Sequence, residues 1–281
     1  MGVVNVTLDS FSDGGLFADR SAAIQHGIRL IAEGADILDI GGESTRPGVA
    51  VGSYADISAN EEIRRTIPVI DGLLSAKPDA VISIDTYKSE TARAAIDAGA
   101  TIVNDVSGLL WDPTMAETAA KLESGLILMH TRGTPTEWRN LPKLEDPIAT
   151  VLLELGTAVE QAVAAGITRD RLVLDPGFGF GKRFDDNYPL LAHFSEFSRL
   201  GLPLLAGPSR KSFIGRAVGR RMAEIAGTEP RDASADQRLY GTLAAITACV
   251  LQGAHIVRVH DVRAAVEALA VVDAIVTAAQ A

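Results

Sequence analysis

The sequence predicts an α/β protein folded as one closed (β/α)8 TIM barrel, and three observations predict it. Short apolar or β-branched runs alternate with longer helical patterns along the whole chain, the signature of a parallel sheet with crossover helices. Eight such repeats fit into 281 residues, a normal length for a single barrel. Each run also ends on a polar or ionisable side chain, as expected where eight strands open onto one active face. An open, doubly wound sheet is the alternative. The predicted unit is a single domain, residues 1–281.

The elements follow in order. The first strand, 3–6 (VVNV), delivers Asn5 into "TLDSFSDGG". Taken alone, that stretch is a surface turn, since Asp, Ser and Gly dominate turns. As the first of eight loops around one mouth, it faces a ligand. A helical pattern over 21–34 leads to the second strand, 36–40 (DILDI), which carries Asp39 into "GGESTRPG". There Arg46 beside Thr45 reads equally as a solvated turn or an anion contact, Arg being suited to bidentate phosphate binding. The third strand, 81–84 (VISI), ends at Asp85. Thr86 is a candidate cap for the helical pattern 88–98, a role open to Asp85 as well. The fourth, 101–104 (TIVN), ends at Asn104 and Asp105, and the fifth, 126–129 (LILM), at Met129 and His130.

The stretch 145–165 is helical, and Glu154, Glu160 and Gln161 make it an amphipathic surface helix. No apolar run approaches the roughly 20 residues that span a bilayer. The sixth strand, 171–174 (RLVL), runs into "DPGFGFGK" with Asp175. Its glycines match neither G-x-x-x-x-G-K-[ST] nor G-x-G-x-x-G. They make room for something flat, and Phe178 and Phe180 are either core plugs or ring contacts. The seventh strand, 203–206 (PLLA), leads into "GPSRKSFIG", with Ser209, Arg210 and Lys211. The eighth, 255–259 (HIVRV), delivers Arg258 and then His260.

Composition narrows the function. A net charge of −10 argues against non-specific nucleic-acid binding, which needs a basic face. The cations gather instead after the seventh and eighth strands, where barrels often bind phosphate, and so favour an anionic small molecule. Cys249, the single cysteine, lies in an apolar helix and reads as a buried structural thiol, as expected of a reducing cytoplasm. The chain opens on a core strand rather than a secretory signal. Val6 stands where a myristoylation motif needs Ser or Thr. His130 and His193 stand apart, without zinc-ligand spacing. A hard cation such as Mg²⁺, held partly by substrate phosphates, remains compatible.

Eight motifs in this order resemble dihydropteroate synthase of folate biosynthesis: "MGVVNVTLDSFSDGG", "LDIGGESTRPG", "SIDTYK", "IVNDVSG", "LMHTRGTP", "LVLDPGFGFGK", "GPSRKSFIG" and "RVHDV". The resemblance covers nearly the whole chain and implies the same barrel, as a pterin-binding domain. It implies a transferase that joins 4-aminobenzoate to (7,8-dihydropterin-6-yl)methyl diphosphate, giving 7,8-dihydropteroate and pyrophosphate. It implies Mg²⁺ as cofactor, with Asn5 binding it together with the diphosphate. Asp85, Asn104, Asp175 and Lys211 would hold the pterin, with Thr45 also touching it and Met129 lining the substrate site. Arg258 and His260 would meet the diphosphate, joined by Arg46. Arg258 could also stack on the pterin. Ser209, Phe180, Pro47 and Lys211 would border the aminobenzoate. Arg46, Asp85, Lys211, Arg258 and His260 would carry the chemistry. The family also implies a cytoplasmic homodimer, with no nucleic-acid or membrane partner.

Three departures stand out. Leu8 replaces the family's usual Pro, the segment after "STRPG" at 49–56 is longer than usual, and the sequence begins at its first strand where relatives usually carry a lead segment, so that either the barrel floor is open or the true start lies upstream. The longer loop is expected to alter how 4-aminobenzoate, or sulfonamides that imitate it, are admitted. Rival readings are a corrinoid-type pterin-binding methyltransferase and a barrel that binds pterin without condensing it. A third is a phosphosugar aldolase using Lys211 as a Schiff-base amine, its pKa lowered by Arg210.

Overall fold

A computed structural model describes residues 1–6, 15–43 and 57–280, with backbone alone for 15–19 and 280. Its strands are β1 (Gly2–Asn5), β2 (Ile37–Gly41), β3 (Val81–Asp85), β4 (Ile102–Asp105), β5 (Gly125–Met129), β6 (Leu172–Asp175), β7 (Leu205–Ala206) and β8 (Ile256–Val257). β1 to β6 pair in chain order, all parallel, and β7 pairs with β8. Single bridges join the two ladders: Leu174 to Leu204, and Gly2 to Val259. The second seam is held by Val3 N–H donating to the Val259 carbonyl (3.1 Å) and Val259 N–H to the Met1 carbonyl (3.0 Å). The sheet therefore closes into a barrel, and the open-sheet alternative is excluded.

The helices are α1 (Gly15–Ala32), α2 (Ala59–Ala76), α3 (Ser89–Asp97), α4 (Met115–Leu122), α5 (Pro147–Ala164), α6 (Asn187–Ala192), α7 (Ser212–Ala226), α8 (Leu239–Leu251) and α9 (Val262–Gln280). Caps agree with sequence where they are simple. Ser58 accepts the Glu61 N–H at the start of α2, and Asp146 accepts the Ala149 N–H ahead of Pro147 at α5. Thr86 does not cap α3. Its hydroxyl accepts the Lys88 N–H, while the Ser89 N–H at the head of α3 is taken by the Asp112 carboxylate, which arrives from another loop. Among the described residues α5 is the one helix long and apolar enough by length and composition to cross a bilayer. Instead it lays Val151, Leu155, Val159 and Ala162 against the barrel.

Strand periodicity builds the site. Outward residues such as Leu38, Ile40, Ile82, Ile84, Leu128 and Leu174 pack under the helices. The inward set starts apolar: Met1, Ile37, Ile102, Ile127, Val173, Leu205 and Ile256 fill the lower barrel. A side chain two residues further along a strand points to the same side. The same arithmetic therefore brings Asp39, Asn104, Met129, Asp175, Gly207 and Arg258 inward one layer higher, beside Asn5 and Asp85.

Candidate active site

One row crosses the mouth. Asn5 pairs with Gly41, Gly41 with Asp85, and Asp85 with Asn104 in strand register. Gly41 keeps the row open: a Cβ there would stand 3.6 Å from Asp85 Oδ2 and 3.7 Å from Asn5 Oδ1. Arg258, arriving from β8, links two strands of this wall. Its Nε donates to Asp39 Oδ2 and its Nη2 to Asp85 Oδ2, both at 2.5 Å. Asn104 Nδ2 donates to the same Asp39 oxygen (3.0 Å). Asp39 is fully buried, and among the described residues its Oδ1 has no hydrogen-bond partner. Burial raises the Asp85 carboxyl to about 7, the attraction of Arg258 only partly opposing it. Two carboxylates in turn hold the Arg258 guanidinium firmly charged against its own burial.

Asp175 ends β6 on the opposite wall. Its Oδ1 accepts the Gly177 N–H (2.7 Å), and burial pushes the carboxyl up to about 6. Lys211 stands between the walls, with Nζ 3.9 Å from the Phe180 ring centroid. Burial first, then the repulsion of Arg258, brings this amine down to about 8. The Phe180 ring meets Trp138 edge-on, and Met129 and Val106 complete that small apolar cluster. The two phenylalanines of "GFGF" thus divide. Phe178 is a core plug against Phe194 and Phe213, and Phe180 faces the site.

The paired cations of "SRKS" divide too. Arg210 takes a left-handed backbone (φ 57°), its guanidinium on Asp261 at 2.5 and 2.9 Å, its N–H on the Thr242 hydroxyl. Lys211 turns inward. The amine of Lys211 is therefore lowered by burial and Arg258, not by Arg210 as the sequence suggested. Ser209 Oγ lies 3.0 Å from His260 Nδ1 and also accepts the His260 N–H. Burial and the three nearby cations bring His260 down to about 3, so at neutral pH it offers a hydrogen bond and not a charge.

The comparisons with known proteins agree. The model of the pterin binding enzyme family matches residues 1–260. The dihydropteroate synthase of Escherichia coli strain K12 is 41% identical over 278 residues, covering 99% of this chain and 92% of that one. A Xanthomonas albilineans dihydropteroate synthase solved with 4-aminobenzoic acid superposes with a TM-score of 0.83 at 44% identity, over 98% of this chain and 92% of that one. The chain belongs to the dihydropteroate synthase family. A Yersinia pestis dihydropteroate synthase in complex with a sulfonamide drug is also similar, with a TM-score of 0.84 at 40% identity over 99% of this chain and 94% of that one.

Within this dihydropteroate synthase family member, the barrel mouth gathers Asn5, Asp85, Asn104, Met129, Asp175, Phe180, Ser209, Lys211, Arg258 and His260. Thr45, Arg46 and Pro47, the longer stretch 49–56 and Leu8 lie outside the described residues. Sequence reasoning placed Asp39 only as a strand ending, yet it anchors Arg258 and Asn104. An acid inside an otherwise apolar strand was the available signal. His130 is not isolated: its Nε2 meets Glu154 Oε2 at 2.8 Å. Among the described residues no cluster of three His, Cys, Asp or Glu could hold a metal ion. Asn5 supplies one amide oxygen beside an open glycine. One hard oxygen donor is compatible with Mg²⁺, which takes few protein ligands beside substrate phosphates, and does not fit zinc.

Proposed function

We infer that this chain makes 7,8-dihydropteroate, joining 4-aminobenzoate to (7,8-dihydropterin-6-yl)methyl diphosphate and releasing pyrophosphate. The observation that carries the reading is the two-walled mouth itself, acids and amides on one side, Lys211 and Arg258 reaching across it. A pterin edge presents adjacent N–H donors, which a carboxylate such as Asp175 accepts as a pair. Lys211 donates to ring acceptors, and Asn104 and Met129 complete the pocket. The aminobenzoate lies toward Phe180, Ser209 and Lys211.

The arylamine nitrogen is neutral near pH 7, so its lone pair attacks the pterin methylene without a strong general base. The bond from that carbon to the diphosphate oxygen breaks, the electron pair leaves with pyrophosphate, and the new secondary ammonium gives up its proton to water. Asp85 favours the positive charge growing on the methylene. Arg258, with Arg46, supports the departing negative charge, and neutral His260 adds a hydrogen bond. Bound Mg²⁺, held through Asn5, would neutralise diphosphate charge. The exposed apolar residues Val271 and Ile275 on α9, with Tyr240 and Leu251 on α8, support a homodimer through these helices, which light scattering would test.

The test is pyrophosphate release with the dihydropterin diphosphate, Mg²⁺ and 4-aminobenzoate, each omitted in turn. Release that needs 4-aminobenzoate, yields dihydropteroate and is blocked by a sulfonamide is expected. Binding of the pterin diphosphate without product would instead mark a non-catalytic binder.

A further inference from the structure

The "GFGFGK" loop ends in a lysine that the reading above leaves unused. Lys182 is buried, and its ammonium meets backbone instead of a carboxylate. Nζ donates to the carbonyls of Gly177 (2.7 Å), His130 (3.2 Å) and Phe180 (3.3 Å). Among the described residues no carboxylate comes within ion-pair distance of this ammonium; its burial brings it down to about 7, the more distant Asp175 and Glu154 only partly opposing the cost. Such a cost is tolerated only where the group orders something else.

What it orders is visible in the backbone. Gly177, Gly179 and Gly181 all have positive φ, at 68°, 85° and 67°. Through these alternating turns the loop aims its carbonyls at one point, where the ammonium sits. The loop is also pressed against the end of β5, because a Cβ on Gly177 would overlap the His130 carbonyl oxygen. A glycine-rich segment holds no such shape by itself, since its own conformational entropy opposes it. The three-way bond from Lys182 closes it. The same loop carries Phe180, whose ring lies under Lys211 and against Trp138.

We propose that Lys182 is a positioning residue for the arylamine subsite: its ammonium ties the loop after β6 to the end of β5 and so fixes the Phe180 ring beneath Lys211. This rests on the reading in which Phe180 borders 4-aminobenzoate. It predicts unequal effects on the two substrates: Asp85, Asn104 and Asp175 hold the pterin from strand ends, so only a smaller effect reaches it, through Lys211, which both substrates share, and through the Gly177 bond to Asp175.

The experiment compares K182M and K182Q with the parent protein in a W111F background, which leaves Trp138 as the single tryptophan. Trp138 emission in ligand-free protein reports the Phe180 contact without any turnover. In K182M it shifts to the red, and KM for 4-aminobenzoate rises about tenfold, in line with the cost of misplacing a substrate-positioning group. Calorimetric binding of the pterin diphosphate stays within about threefold of the parent. K182Q keeps two N–H donors without the charge and recovers part of both changes. It also carries the test if K182M does not fold. Unmoved Trp138 emission overturns the inference, as does equal weakening for both substrates, the mark of a purely structural lysine. A parent protein that forms no dihydropteroate counts against the proposed function alone, because the emission arm needs no activity.

Discussion

The barrel wall from β1 to β6 and the short pair β7–β8 place their functional groups by different means. In the first, a continuous six-strand ladder fixes Asn5, Asp85, Asn104 and Asp175, each the last or nearly the last residue of a strand. In the second, strands of two residues stop short, and the active side chains follow in loops held by side-chain bonds. Arg210 is tied to Asp261, Arg238 donates to the Arg210 and Ala233 carbonyls, and Ser209 is tied to His260. The backbone ladder thus orients the acids and amides of the mouth. The cations beside them hang from a more separable frame.

The comparison is tested most severely at Lys211, which reaches from one region into the other. Lys211→Ala should lower kcat/KM about 10²–10³-fold, the scale for removing one positioned donor. A loss within about threefold would remove Lys211 from the chemistry. Next comes the joint between the regions. Asp39→Asn deprives Arg258 of one of its two carboxylates, and KM for the pterin diphosphate should rise about tenfold, a loss of transition-state binding of roughly 1.4 kcal/mol. An unchanged KM would mean that Asp85 alone orients the guanidinium.

The ladder side has its own stability cost. Burial raises Asp175 from 3.8 to about 6, so the folded chain binds that proton more tightly than the unfolded chain. Stability from this group is therefore full below about pH 4, falls as pH rises toward 6, and stays lowered above it. Asp175→Asn should be more stable than the parent at pH 7 by on the order of 3 kcal/mol, with the gap closing near pH 4, while activity collapses. Urea midpoints at the two pH values measure it. A gap that does not depend on pH would show that the carboxyl is not strained. The smallest effect belongs to the outer frame. Asp261→Asn loosens a partly exposed ion pair and should cost about 1 kcal/mol or less, leaving kcat within about threefold. A larger fall would mean that the frame after β7 is as rigid as the ladder.

Much of this was legible in the sequence because a strand buried on both faces is a plain signal. Every strand reading falls within one or two residues of the structure at each end, β7 and β8 being shorter than read. The helix read from 21 begins at Gly15. The site residues were legible for the same reason, since a polar side chain at the end of an apolar run is conspicuous. Neighbouring residues of one chemical type were not separable. Arg210 and Lys211 part because one residue adopts a left-handed backbone, and Phe178 and Phe180 because glycines between and around them reverse the chain. The glycines announce a turning loop but not which ring faces the site, and the left-handed Arg210 has no local sequence signature. Lys182 was hidden differently: its partners are carbonyls, which every residue carries.

The closing seam has a consequence for how the chain becomes competent. Most strand contacts join neighbours in sequence, so the ladder from β1 to β6 can grow progressively. The bonds between Val3 and Val259 and between Val259 and Met1 instead span almost the whole chain, and contacts of that separation are slow to form. Arg258 sits one residue before that seam. A partly folded or partly synthesised chain would then display its acids without their cation, and pterin affinity would arrive only in the last kinetic phase of refolding, together with barrel closure.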